Sequence, residues 1–335
     1  MILIFSNTTN INLGGLEIFN EELENLFKHN EIEFYRVRSI TNIKLIDYPY
    51  RLIRSIFHIF SNFKKIDFIL VQYGNFLDIL TLPFLKISLK SIRIIAHTGD
   101  SWKHIQNNIT RALTNLILKI FVQKVYLISD EQRSFLTHRH LKKIHSIINK
   151  KYIENKTFTN IHEKYLLFLG RICSEKGIDD LIVVYSELNK TINLPKLKLA
   201  GPIKQSFRRH INKLLDTYKI HDQIVILNPI YNIDEKIKLI DGSSFLVYPS
   251  HSDAFPLSVI EAFARGKCIL ASSISETKYF IEFDKFLFIP EDRNDLRNKM
   301  KNLILNPNSF KNEINFMQRK SLKYANGNII NEILE

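Results

Sequence analysis

The chain has 335 residues, 45% hydrophobic and 24% charged, the balance of a globular protein long enough for two domains. With two cysteines, no metal-ligand spacing and no run of about 18 apolar residues, it has no disulfide scaffold, zinc module or membrane span to organise it. The formal charge of +13 is uneven: residues 42–151 hold 18 Lys and Arg against six Asp and Glu, an excess of 12. Such a region attracts nucleic acid, anionic lipid or phosphorylated substrates, whereas a merely solubilising surface would spread its charge more evenly.

In chain order, the apolar opening breaks at Ser6-Asn7-Thr8, so no secretory signal is expected and the protein is predicted to be cytoplasmic. Residues 2–6 read as a strand, followed by a polar loop ending in Gly14-Gly15. Apolar residues at Leu16, Phe19 and Leu23 then carry a helical spacing through 16–28. Strands recur at 33–37, 68–73, 92–97 and 124–129 with helical stretches between them, which predicts parallel βαβ units. The polar stretch 150–164 reads as a linker. A second alternation follows, with strands at 165–169, 196–200, 223–227, 244–248, 268–271 and 286–289 and helices between them. The predicted domains are therefore 1–155 and 156–311, each an α/β doubly wound Rossmann-like unit. A helical tail, 312–335, is free to pack back on the first.

Two constellations carry chemistry. The strand around Phe245 leads through Ser250 to Asp253, then to Pro256 in the first turn of a helix over 257–265 that bears Glu261 and is capped by Gly266. In an open α/β sheet such a loop lies at the carboxyl ends of the strands, where ligands sit. Helix N–H groups there suit an anion and carboxylates suit hydroxyls, which together describe a nucleotide sugar. Taken alone, Asp253 also reads as a helix cap, and Glu261 as an ion-pair partner of Arg265 one turn on. The second constellation is Gly170-Arg171 followed by Lys176-Gly177, two cations at a strand-to-helix turn suited to a diphosphate; solvated loop cations are the plain alternative.

These pieces resemble the retaining glycosyltransferases of family 4, which have the GT-B fold of two Rossmann-like domains facing each other across a cleft. The likeness runs in order through Leu169-Gly170-Arg171, Glu175-Lys176-Gly177, Ala200-Gly201-Pro202, Pro249-Ser250, and Asp253 to Gly266. It implies that Arg171 and Lys176 clamp the donor diphosphate, that Glu261 accepts from the nucleotide ribose and that Asp253 accepts from the transferred sugar. Backbone N–H groups near Phe255 and Leu257 would meet the phosphates, Pro256 having none to give. The loop carrying Ile230 and Tyr231 would hold the base. In the first half, Gly14-Gly15 resembles the glycine-rich donor loop, where the backbone comes close to phosphate. His97 resembles the histidine beside the reacting sugar, with Asp100 a second candidate; each also has a plain structural reading. The chain departs from the family at Asp253, where glutamate is commoner, at Ala254 and Pro256, where glycines are frequent, and at Lys267-Cys268.

The resemblance implies transfer of a sugar from a UDP- or GDP-linked donor to an acceptor hydroxyl with retention, without metal or other cofactor; an Asp-x-Asp motif is absent from the sequence. The acceptor is expected on the basic first domain, as a lipid-linked or cell-surface glycan. The mixed basic and apolar stretch 51–65 would touch anionic membrane, unless it is an amphipathic core helix. A sugar-nucleotide epimerase, a phosphorylase or a catalytically silent subunit would share the fold. Nucleic-acid binding would account for the charge, but no binding module accompanies it and no nucleic-acid partner is expected.

Overall fold

A computed structural model describes residues 1–6, 15–37, 44–97, 105–144, 147–154, 164–253, 256–307, 309–325 and 329–335. The chain divides into two compact units, Met1–Ile147 with Gly327–Glu335, and Ile148–Asn326.

In the first unit the described elements are β1 (Ile2–Ser6), α1 (Gly15–His29), β2 (Phe34–Arg36), α2 (Lys44–Ser61), β3 (Phe68–Tyr73), α3 (Phe76–Lys86), β4 (Ser91–Ala96), α4 (Asn108–Phe121), β5 (Lys124–Leu127) and β6 (Leu141–Lys143). The strands form one sheet in the order β2-β1-β3-β4-β5-β6, with every pairing parallel. Every residue of β1 and β3 is buried, as strands covered on both faces require. The chain moves outward from β1 to β2, then back across to β3, β4 and β5. Right-handed crossovers therefore place α1 on one face and α2, α3 and α4 side by side on the other. Accordingly α2 packs on α3, and α3 on α4.

Helix α2 is built the opposite way from an ordinary surface helix. Arg51 is 0% exposed; its Nε donates to Asp47 Oδ2 at 2.6 Å and its Nη1 to Ser6 O at the end of β1. Tyr48, on the same inner face, donates to Asp78 Oδ1 at 2.8 Å, and Asp78 Oδ2 accepts from the N–H groups of Gly74 and Asn75 just beyond β3. The polar inner face thus closes the carboxyl ends of β1 and β3, and the apolar face is left outside, with Ile53 and Phe57 each 66% exposed. Within 51–65 the residues divide: Arg51 is buried and is no surface cation, Ile59 lies in the core with Leu52 packed against it, and Ile53, Phe57 and Phe60 are exposed.

The second unit contains α5 (Lys151–Glu154), β7 (Tyr165–Leu169), α6 (Ile178–Asn189), β8 (Leu197–Ala200), α7 (Gln205–Tyr218), β9 (Ile224–Leu227), α8 (Ile233–Gly242), β10 (Ser243–Tyr248), α9 (Leu257–Ala264), β11 (Ile269–Ser272), α10 (Ser275–Phe280), β12 (Leu287–Phe288), α11 (Arg293–Leu305) and α12 (Lys311–Ser321). Its parallel sheet runs β12-β11-β10-β7-β8-β9. Strands β7 and β10 are neighbours whose onward connections leave in opposite directions, the topological switch at which open sheets bind ligands.

The division falls at Ile147/Ile148 rather than at 155/156, because Tyr152 is part of the second core and its carbonyl accepts from Arg265 Nη1 at 2.9 Å. Most of the tail also belongs to the second unit, where Met317 and Tyr324 are buried in the core. The last segment, α13 (Ile329–Leu334), belongs to the first. There Arg93 donates to the carbonyls of Ile333 and Leu334, and Tyr126 Oη donates to Ile333 O at 3.1 Å. Most of the linker stretch, 155–163, lies outside the described residues. Among those described, no helix is long and apolar enough to cross a membrane.

Candidate functional site

The site in the second unit forms where the loops after β7 and β10 meet. After β7 the chain passes Gly170 and Arg171, makes a short 3-10 turn over Ser174–Lys176, and enters α6 through Gly177. Gly177 has φ 64°, and a Cβ there would stand 2.0 Å from the carbonyl oxygen of Pro249. Only glycine combines that left-handed backbone with so close an approach. The two loops are joined again where His251 N donates to Glu175 O at 3.0 Å. Gly201, just beyond β8, makes a similar fit: with φ 147°, its Cβ would lie 1.9 Å from Gly170 O.

This packing brings Lys176 onto Asp253, Nζ to Oδ2 at 2.6 Å, with a second contact from Nζ to Ser252 O at 3.2 Å. Tyr248, the last residue of β10, donates its hydroxyl to the same carboxylate. Burial and the adjacent carboxylate drive the Tyr248 phenol well above its ordinary pKa, so it remains a donor at any working pH. Arg171, just after β7 on the same loop, is exposed. The plain reading of Asp253 as a helix cap does not hold: α9 begins after Pro256, which occupies the cap position itself, and no side chain caps the helix.

Glu261, on the first turns of α9, is 2% exposed. Its Oε1 accepts from Lys236 Nζ at 2.7 Å, while its Oε2 is buried with no partner. A buried carboxylate oxygen without a donor is costly, and this one has the capacity to accept another hydrogen bond. Its expected alternative partner, Arg265, goes elsewhere, donating to both oxygens of Asp241 at 2.9 and 2.7 Å. Lys236 and Tyr248 were not singled out from sequence. The pointer to Lys236 was its place on α8, just after the loop expected to hold the base.

The remaining candidates are placed as follows. Leu257 is the first residue of α9. Ile230 packs against the core and Tyr231 is exposed, both shortly before Asn232, whose side chain caps α8. Ser250 is fully buried and its hydroxyl donates to Ser252 O at 2.8 Å, so it shapes the loop instead of facing a ligand. Gly15 opens α1. Gly14, Asp100 and Phe255 lie outside the described residues. In the first unit His97 follows β4; it is 5% exposed, with Nε2 2.6 Å from Gln72 Oε1 and the Phe19 ring edge-on at 4.9 Å. Burial pushes its pKa down to about 3, so the imidazole is neutral. Among the described residues no group of three or more His, Cys, Asp or Glu is placed to hold a metal.

The family described as glycosyl transferases group 1 matches residues 149–320, just over half of the chain and all of the site just described. The chain belongs to this family. An uncharacterized glycosyltransferase of Haemophilus influenzae is 24% identical over 276 residues, covering 78% of this chain and 74% of that protein. Among solved structures, sucrose-phosphate synthase from Thermosynechococcus elongatus matches with TM-score 0.82 at 15% identity, over 99% of this chain and 98% of that one. Anabaena HepE, solved in complex with UDP and glucose, matches with TM-score 0.78 at 12% identity, over 100% and 98%. At these identities the likeness is one of fold, and the fold is GT-B. This group 1 protein is a glycosyltransferase.

Proposed function

We propose that the protein is a retaining family 4 enzyme that transfers a sugar from a nucleoside diphosphate donor, UDP-linked in the first instance, to a hydroxyl of a lipid-linked or cell-surface glycan. One observation carries the donor reading. At the β7/β10 switch, Lys176 of one loop meets Asp253 of the other, and on the helix that follows a buried glutamate has one oxygen without a hydrogen-bond partner among the described residues. UDP is favoured over GDP because the structurally similar HepE binds it.

In this reading the diphosphate sits against Arg171 and Lys176, the ribose hydroxyls donate to Glu261 Oε2, and the sugar hydroxyls donate to Asp253. As the bond between the anomeric carbon and the phosphate oxygen breaks, its electron pair goes to the diphosphate. Fixed cations stabilise that charge where it develops, and no metal is invoked. The acceptor oxygen forms the new bond to the anomeric carbon and its proton goes to the departing diphosphate oxygen. Before donor arrives, Lys176 is neutralised by Asp253. Phosphate then competes with that carboxylate for the ammonium, and Asp253 turns toward sugar hydroxyls. For His97 we propose a neutral hydrogen-bonding part beside the reacting sugar. The acceptor side is assigned to the basic first unit, at the cytoplasmic face of a membrane.

The test is release of free nucleoside diphosphate from UDP- and GDP-sugars with and without a glycolipid acceptor. Transfer requires that release depend on acceptor and that Arg171→Ala/Lys176→Ala lower turnover by about a hundredfold or more. A double variant within a few-fold of wild type would remove the proposed charge role. Release that ignores the acceptor would point to an epimerase or hydrolase.

A further inference from the structure

The outward faces of α2, α3 and α4 carry large apolar side chains that are exposed among the described residues. On α2, Ile46, Ile53, Phe57 and Phe60 recur at helical spacing and all are exposed. On α3 the exposed residues are Leu80, Phe84 and Ile87, and on α4 Ile109, Leu116 and Ile120. Because α2 packs on α3 and α3 on α4, the three stripes lie on one layer on the same side of the sheet. Phe63 and Lys90 join the C-terminal ends of α2 and α3, with the ammonium 4.0 Å from the ring centroid. A single exposed leucine needs no explanation, but large apolar side chains along three adjacent helices do.

The charge around these stripes has one sign. Arg54, Lys64, Lys65, Lys86, Arg111 and Lys119 belong to the same layer. The only acids among its described residues 44–65, 76–90 and 105–122 are Asp47 and Asp78, both buried in the polar network under α2. We propose that this three-helix face docks on an anionic lipid bilayer, its aliphatic and phenyl groups entering the headgroup boundary while the Lys and Arg ammonium and guanidinium groups meet lipid phosphates. A second copy of the chain fits poorly, because an isologous contact would set this wholly cationic face against itself. The inverted build of α2 fits the same purpose: its polar residues turn inward to hold β1 and β3, leaving the apolar face to the partner. The proposal rests on, and makes specific, the reading of a membrane-borne acceptor.

The experiment is co-sedimentation of the full chain with vesicles of phosphatidylcholine alone and of phosphatidylcholine mixed with phosphatidylglycerol. Two variants are compared with wild type: Ile53→Ser/Phe57→Ser/Phe84→Ser, and Arg54→Ala/Lys64→Ala/Lys65→Ala. Each basic residue at an anionic surface contributes about fivefold to partitioning, so the second variant should bind roughly a hundredfold less well. The first should lose at least about tenfold, because its apolar groups no longer enter the boundary. Wild-type binding should also fall as salt shortens the screening length. Equal partitioning of wild type onto both vesicles would overturn the proposal, as would either variant binding like wild type. So would a wild-type oligomer in sedimentation velocity that the apolar variant dissociates while vesicle binding stays unchanged. UDP binding is measured on the same preparations. Lost vesicle binding with intact UDP binding condemns only this surface, and the converse condemns only the donor reading.

Discussion

The two carboxylate oxygens of Glu261 have different surroundings: Oε1 is held by Lys236, and Oε2 is buried with no hydrogen-bond partner among the described residues. If Oε2 receives a ribose hydroxyl, Glu261→Gln should weaken nucleotide binding by about 1.5–3 kcal/mol, the worth of a hydrogen bond to a charged group. Lys236 holds the other oxygen of that carboxylate and, in the proposed reading, orients it. Lys236→Met should therefore raise the donor KM several-fold with kcat nearly unchanged, and Lys236→Arg should restore it; an unchanged KM would make the pair purely structural. At His97 the expectation concerns pH. The unfolded ring takes up a proton near its ordinary value, but the folded ring resists protonation down to about 3. Between those values the unfolded state binds more protons, so stability rises with pH and is lost on acidification, by about 1.4 kcal/mol per pH unit through this group. Urea denaturation from pH 7 to pH 4 should show a shallower pH dependence for His97→Asn, and parallel curves for the two proteins would contradict the assignment.

Among the elements, Gly177 is where the fold is most sensitive to a single methyl. Gly177→Ala would force the Pro249 carbonyl and the Lys176 loop apart, costing about 1–3 kcal/mol in strained backbone and weakening diphosphate binding at the same time. Helix α2 gives a sharper contrast. Arg51→Met leaves Asp47 buried without its cation and should cost about 3–5 kcal/mol. Phe57→Ser, on the outer face, should stay within about 0.5 kcal/mol of wild type, measured by the same denaturation. Helix α2 also marks the limit of what was legible. Strands 2–6, 68–73 and 165–169 were readable to the residue because strands buried on both faces are continuous apolar runs. The stretch 51–65 reads as basic and apolar residues mixed, but such a pattern does not say which apolar residues face core and which face solvent. Strand β6 was missed because Leu141-Lys142-Lys143 has an edge strand's polarity and no apolar run. At the site, the motif positions could be read from the sequence. The Lys236–Glu261 contact could not, because the partners are 25 residues apart on the helices before and after β10.

At the scale of the whole molecule, the chain ends by returning to the unit in which it began. Ile329, Ile330 and Ile333 are buried there, and Arg93 Nη1 and Tyr126 Oη donate to carbonyls of the last turn. At roughly 1.5–3 kcal/mol for each buried isoleucine, deleting residues 329–335 should destabilise the first unit by about 5 kcal/mol. Calorimetry should then separate its melting from that of the second unit, which keeps Met317 and Tyr324 in its own core. A single unshifted transition would show that the C-terminal segment contributes little. The proposed diphosphate and ribose contacts, Arg171, Lys176 and Glu261, all belong to the second unit, and one titration tests them. Calorimetric titration of the full chain with UDP and with GDP should show one of them binding at a single site, and Arg171→Ala/Lys176→Ala should weaken that binding by roughly a hundredfold. If neither nucleotide binds, or if the double variant binds as tightly as wild type, the β7/β10 switch is not the donor site.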